Sequence, residues 1–481
     1  MKKRSLFIIS SVLLVSILTS VLCCFPVSAA GVTEISTADE LKAISDLAGS
    51  YKLTADIDLG GISWTPIGDT ENPFTGTFDG NGKTVSNFTI TADETYGKES
   101  AGFFGTIKAP AVIKDLKIAN ATITTSYSYK VGAIVGAVDS DDGGTIKGCV
   151  TASDVKIIVD GKHASPANEG LSIGGIVGYA RYLVEHCENN AVVTNVKTYT
   201  LDGKANKAYI GGIAGRAVGI VRYCINNGNI TTQDYDWKKS GMYVASGGVL
   251  GAITAWGELT TTVFGCINNG TVSNIATSLS TTCTAGGVVG NTFGSNTAIT
   301  ARAIQNCYNF GAIDCKAAGQ IVGNAGNSDP NAGAFSAQGN YGIADLAPMC
   351  SNNEAASIGT GETAENMKQQ ANYLAIIAAM EENMIFELSQ MPAPAVPSAK
   401  PPVDDNTNDD TDDGEDKKKD DEEEDDKDTG KKNNNTAAAT EATTETEATE
   451  EKGGCGSTIS MAGIALVAVL GAGLTVCKKK N

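Results

Sequence analysis

The sequence predicts an all-β protein wound as a parallel β-helix (solenoid), with short capping helices at both ends, followed by a disordered acidic stalk and one transmembrane helix. Three observations lead there. A glycine phrase recurs along the middle of the chain, short β-branched runs fill the intervals, and one Cys and one Asn return behind each phrase.

The clearest copies are Gly174-Gly175-Ile176-Val177-Gly178 with Cys187-Glu188-Asn189, Gly211-Gly212-Ile213-Ala214-Gly215 with Cys224-Ile225-Asn226, Gly247-Gly248-Val249-Leu250-Gly251 with Cys266-Ile267-Asn268, and Gly286-Gly287-Val288-Val289-Gly290 with Cys307-Tyr308-Asn309. Degenerate copies close at Gly105, Gly136 and Gly323, so the closing glycines lie 31, 42, 37, 36, 39 and 33 residues apart. Such a period means stacked units that bury a shared core. Runs such as Val192-Val193-Thr194 and Ile230-Thr231-Thr232, bounded by Gly and Asn, are strands. With roughly three short strands per repeat, one repeat reads as one coil, stepping about 4.8 Å to the next. Cys149, Cys187, Cys224, Cys266 and Cys307 then stack as small apolar core residues. Asn189, Asn226, Asn268 and Asn309 form an amide ladder, which Thr151 and the last glycine phrase leave incomplete at its ends.

The Gly-apolar-apolar-Gly repeats resemble the Gly-Leu-uncharged-Gly (GLUG) motif of bacterial surface proteins. Tyr51-Lys52-Leu53-Thr54-Ala55-Asp56-Ile57-Asp58-Leu59, Trp64-Thr65-Pro66-Ile67-Gly68 and Phe74-Thr75-Gly76-Thr77-Phe78-Asp79-Gly80-Asn81-Gly82 look like the region leading into such repeats. The resemblance covers about residues 32 to 370 and implies a secreted, adhesin-like β-helical surface protein. It brings no catalytic residues.

From the start of the chain, residues 1–30 read as a signal peptide: Lys2, Lys3 and Arg4, an apolar run from Leu6 to Leu22, then Val27-Ser28-Ala29-Ala30. The β-helix is expected over 31–345. Thr37-Ala38-Asp39-Glu40 is a capping box, opening a helix to about Ala48 that lids the first coil with Leu41, Ile44 and Leu47. Gly80-Asn81-Gly82-Lys83-Thr84 resembles a P-loop ending, but Thr77 stands where a glycine is required and a strand follows, so no nucleotide is expected. A hairpin-like turn is the simpler reading.

Eight cysteines lie in the body. Cys283 and Cys315, at similar offsets before their glycine phrases, are the candidate disulfide pair. No Cys-x-x-Cys occurs and His163 and His186 are the sole histidines, so neither a metal site nor a cofactor is expected. Catalytic residues are likewise not identified. Asp139, Asp141 and Asp142 come closest to the carboxylate cluster that a glycan-cleaving site needs, and a solvated turn explains them more simply.

The candidate binding residues lie in the longest decorated insertion, Asp234 to Tyr243. It carries Tyr235, Trp237, Lys238 and Tyr243, with Trp256 shortly after. Aromatics on a loop of a rigid scaffold stack on sugar rings or anchor protein partners.

Residues 346–390 are expected to form a helical cap, with one helix from Ala364 to Leu388 presenting Met367, Tyr373, Leu374, Ile377 and Met380 to the far end of the solenoid. Residues 391–452 hold 21 acidic residues against 8 lysines and form a disordered linker, spanning about 45 Å as a coil. In 453–481 a Gly-Gly-Cys tag centred on Cys455 precedes 19 uncharged residues and Lys478-Lys479-Lys480. This is a membrane segment with its basic end inside, or a sorting tag.

The body carries 34 acidic against 22 basic residues over 31–390, which argues against nucleic acid as a partner. The expected function is a non-enzymatic, adhesin-like surface protein that binds a glycan or protein ligand on a host or neighbouring cell. The alternatives are an extracellular polysaccharide lyase or glycoside hydrolase, or a passive structural surface protein.

Overall fold

In a computed structural model the described residues are 31–389, apart from the connections 164–168, 201–206, 235–241, 255–260, 276–280, 293–301, 326–334, 345 and 352–357. The signal-peptide, stalk and tail readings fall outside them. No helix among the described residues is long and apolar enough to cross a membrane.

Among the described residues every strand pairing is parallel, between one coil and the next, in one 23-stranded sheet and two seven-stranded sheets. The chain is thus all-β with long parallel sheets wound as a solenoid. A coil has five strands where three were expected: Leu183–Glu185, Glu188–Asn189, Val192–Thr200, Lys207–Gly211 and Ala214–Ala217. The first three lie in the long sheet and are separated by a corner. At that corner Asp115, Gly148, His186, Tyr223, Gly265, Asn306 and Gly339 all have positive φ. A left-handed residue costs a non-glycine side chain about 1–2 kcal/mol, so stacking must hold His186, Tyr223 and Asn306 there. The His186 and Tyr223 rings do stack, with centroids 5.2 Å apart.

Inward β-branched residues align through the coils. In the long sheet Ile123, Ile157, Val193, Ile230 and Val272 are in register and fully buried, each worth about 1.5–3 kcal/mol. The first coils are plugged by aromatics instead. Trp64 stacks on Phe103 at 4.9 Å and donates its indole N–H to the Phe103 carbonyl. Phe74, Phe78, Phe88 and Phe104 fill the space around them.

Three local expectations are corrected. The segment Gly80-Asn81-Gly82 is an irregularity within the strand Thr77–Ala92, where the register shifts between Asp79 and Lys83, and not a hairpin. Helix α1, Ala38–Lys42, has the capping box and buries Leu41, but ends well before Ala48. The Leu47 carbonyl is needed by the amides of Thr75 and Gly76 in the next coil, so the chain must unwind to reach them.

The third correction concerns the C-terminal helix. It is two helices, α2 (Ala364–Gln369) and α3 (Ala371–Asn383), broken at the extended residue Gln370. They do not form an end cap. α3 lies along the flank, burying Tyr373, Ile376 and Met380 against Val150, Ile225, Ile267, Tyr308 and Phe310. Ile225 and Ile267 sit between the inward Cys and Asn of their coils, so they point outward and need an apolar cover. Leu374 is left exposed, and Ile376 takes the buried place expected of it. Asn372 donates to Asn306, Ser389 N–H donates to Glu188, and Ile385 reaches Gly82. The segment therefore straps many coils together.

Candidate functional site

The inner ladders set the rigidity on which any site rests. Cys149, Cys187, Cys224, Cys266 and Cys307 form one fully buried row. Each thiol donates to the carbonyl two residues earlier and to one in the previous coil, as Cys224 does to Arg222 at 3.3 Å and Val184 at 3.8 Å. Burial pushes the Cys149, Cys224 and Cys307 thiols well up, so these are not nucleophiles.

Beside this row, Asn189 Nδ2 donates to Asn226 Oδ1 at 2.7 Å, Asn226 to Asn268 at 2.8 Å, and Asn268 to Asn309 at 2.7 Å. The ends are closed, contrary to expectation: the Thr151 hydroxyl donates to Asn189, and Asn309 donates to Gln320 Oε1. A second ladder that the sequence reading missed runs through Asn190, Asn227 and Asn269. Its signal was present in the repeated Asn-Asn pair.

The outer faces of the two seven-stranded sheets carry the functional candidates. Lys130, Ser172, Tyr209 and Ala245 are in register on one sheet, and Ala137, Tyr179, Arg216 and Ala252 on the other. Gly178, Gly215 and Gly251 let these sheets approach closely, since an added Cβ would lie 2.2–2.3 Å from a backbone nitrogen of the preceding coil. Here the Arg216 guanidinium sits 3.9 Å above the Tyr179 ring and 5.9 Å from that of Tyr209. It also donates to the Glu169 carbonyl at 3.0 Å. Lys130 pairs with Glu99 at 3.3 Å and Glu169 at 3.4 Å, beside Tyr129.

Tyr243, expected on the insertion, belongs to the strand Met242–Gly247 and packs by Tyr209, Ala245 and Ala252. Burial pushes its phenol up to about 12 and raises those of Tyr129 and Tyr209 as well. All three are neutral phenols at physiological pH. Tyr129, Tyr179, Tyr209, Lys130 and Arg216 are themselves buried, so these stacked rings and paired charges pack the outer side of the sheets. Tyr235, Trp237, Lys238, Trp256 and Cys455 lie outside the described residues.

Cys283 and Cys315 are not joined. Cys315 Sγ contacts the Cys283 carbonyl at 3.8 Å. Register explains this, because Ala285 pairs with Ala318 and so sets Cys283 beside Lys316. The acidic turn is neutralised from the next coil: Arg181 bonds Asp141 at 2.8 Å through two nitrogens and Asp139 at 3.1 Å. Among the described residues no group of three His, Cys, Asp or Glu could hold a metal ion.

No protein-family model matches the chain. Halomucin of Haloquadratum walsbyi is 31% identical over 138 residues, covering 25% of this chain and 1% of that protein. A "Putative Gly-rich membrane protein" of Evansella cellulosilytica is 35% identical over 101 residues, covering 21% of this chain and 11% of the relative. The chain thus spans only a small part of the length of these curated relatives. Among solved structures, a "putative immunoglobulin A1 protease" from Bacteroides ovatus aligns with a TM-score of 0.45 and 21% identity, over 72% of this chain and 86% of that one.

Proposed function

We propose that the protein is a non-enzymatic, adhesin-like cell-surface solenoid that binds glycan or protein ligands through the insertions leaving its two short sheets. The observation that carries this is the convergence of Tyr129, Tyr179, Tyr209 and Tyr243 with Lys130 and Arg216 on the outer face of those sheets. Tyr243, the last residue of the Asp234–Tyr243 insertion, is on this face. The inner stack needs only cysteine, asparagine and β-branched residues. These aromatics and cations, with Tyr129, Tyr179, Tyr209, Lys130 and Arg216 themselves only 2–8% exposed, brace the outer side of the sheets from which the proposed ligand-contacting insertions leave. GLUG-type repeats, the N-terminal apolar segment, the acidic stalk and the basic tail support display outside the cell. So does the membrane protein among the relatives.

A glycan and protein array probed with residues 31–390 tests this reading. Retention on a coherent class of glycan or protein is expected. Uniform failure to bind at micromolar concentration, with the protein folded, would leave a passive structural role in its place.

A further inference from the structure

The C-terminal strap is joined to the solenoid differently from the way the coils are joined to each other. Neighbouring coils share parallel ladders, in which Val221 pairs with Val263, Ile225 with Ile267 and Ile230 with Val272. Among the described residues no backbone-to-backbone hydrogen bond connects 364–389 to a coil. The strap is seated instead by an apolar stripe that includes Tyr373, Ile376 and Met380, while Leu374 and Ile385 stay 56% and 59% exposed. Its direction opposes that of the solenoid. Asn372 meets Asn306, Ile376 lies 3.3 Å from where a Cβ on Gly265 would be, and Ile385 lies against Gly82, so it crosses successively earlier coils. It then turns back and ends on Glu188.

That end is built as a latch. Val150, Glu188, Ile225, Ile267 and Tyr308 share one register, and Glu188 is the one charge among them. It is 1% exposed, and its Oε1 accepts from Asn190 Nδ2 at 3.1 Å, Asn227 Nδ2 at 2.9 Å and the Ser389 N–H at 3.2 Å. The two amides belong to coils and the Ser389 N–H to the strap. Hydrogen bonds to a carboxylate are stronger than neutral ones, so this contact fixes the strap's end. When Ser389 leaves, water takes its place on the charge, whereas an apolar residue in this row would resist wetting.

We propose that the strap is a load-release element. Tension on the C-terminal continuation enters the body through Ser389, lifts it from Glu188, and peels the chain back from 389 to 364 while the coils stay wound. Peeling breaks a few side-chain contacts at a time, and a segment with so few contacts opens at lower free energy than the ladders beneath it. Release lengthens the tether and uncovers the apolar row. The inference rests on the surface-display reading only for the source of the load, a ligand held by the body and an anchor at the tail.

The test is extension of the full chain in an optical trap, held by tags at its two ends. On slow loading a first step of about 90 Å is expected, the extended length of residues 364–389. It should precede the loss of any coil and reverse on relaxation. Ser389→Pro removes the latch donor without altering a coil, and should release about tenfold or more faster at a fixed force. Leu374→Ala, on the exposed side, should leave the release rate unchanged. Loss of strap and coils in a single step would overturn the proposal, as would unravelling of coils with the strap still seated. A first step that Ser389→Pro does not accelerate would overturn the latch at Glu188. Array retention bears on the display reading alone: retention without a first step sinks the strap proposal, and a first step without retention sinks the ligand.

Discussion

A Cβ atom on Gly212 would lie 2.2 Å from Asn226 Cγ, so the second glycine of the phrase and the Asn of the same coil share one space. The same 2.2 Å separates Gly175 from Asn189, Gly248 from Asn268 and Gly287 from Asn309. Where the pattern changes, both members change. Ala133 stands in the glycine position of the coil in which Thr151 replaces Asn, and in the last coil the sizes are exchanged, with Gln320 in the glycine position and Gly342 in register with Asn309. A Cβ on Gly342 would meet Gln320 Cβ at 2.6 Å. The two motifs are halves of one packing unit.

Gly212→Ala is therefore expected to destabilise the fold by about 1–3 kcal/mol through overpacking. The added methyl also approaches the Gly248 carbonyl, so rescue is partial. Gly212→Ala with Asn226→Thr, copying Ala133 and Thr151, should show a favourable coupling of about 1 kcal/mol or more in a urea double-mutant cycle. Additive costs would mean that the two positions do not share a space.

The strap makes a contrast between two apolar residues of one helix. Met380 is fully buried against the flank, and Leu374 is 56% exposed. Met380→Ala should cost about 2–5 kcal/mol and Leu374→Ala less than about 0.5 kcal/mol, measured by urea unfolding. Equal effects would argue against a helix seated on Ile225, Ile267 and Tyr308.

Acid should weaken the fold through His186. Burial lowers its pKa, outweighing the attraction of Glu185. The unfolded chain then binds the proton more readily, so stability is complete above the ordinary histidine pKa of about 6.5 and falls as pH drops below it. Glu185 adds a loss at lower pH: burial pushes it up, but hydrogen bonds from Arg222 leave it lowered overall. His186→Asn, which places at this corner the residue found at position 306, should flatten the first part of the slope and leave the second. An unchanged profile would exclude His186 as its source.

The cysteine row should be inert in the native protein. A thiol reagent at neutral pH is expected to leave Cys149, Cys187, Cys224, Cys266 and Cys307 unmodified, and to label all five after unfolding in denaturant. Mass spectrometry reads the count. Rapid native labelling of Cys224 would contradict its burial.

Much of this architecture was legible because it is written in repeats. The glycine phrase, the Cys and the Asn recur at offsets that only stacking explains. Features carried by different residues in each coil escaped. The left-handed corner is occupied in turn by Asp115, Gly148, His186, Tyr223, Gly265 and Asn306, and no shared side chain announces it. The strap escaped because its partner is an outward row, Ile225, Ile267 and Tyr308, which reads as core until its facing is known. Tyr243 was placed on an insertion because it closes the longest decorated stretch between two glycine phrases, whereas pairing with Thr282 and Lys207 makes it part of a strand.

The central claim, that the solenoid is a rigid frame for binding by its insertion, is tested most directly by Tyr235→Ala with Trp237→Ala. Ligand retention and thermal unfolding should be measured on the same protein. The account predicts retention reduced tenfold or more, since two stacked aromatics contribute about 0.5–1.5 kcal/mol each beyond their buried area, with the Tm nearly unchanged. A Tm lowered by several degrees with retention intact would contradict it and make these residues part of the packing.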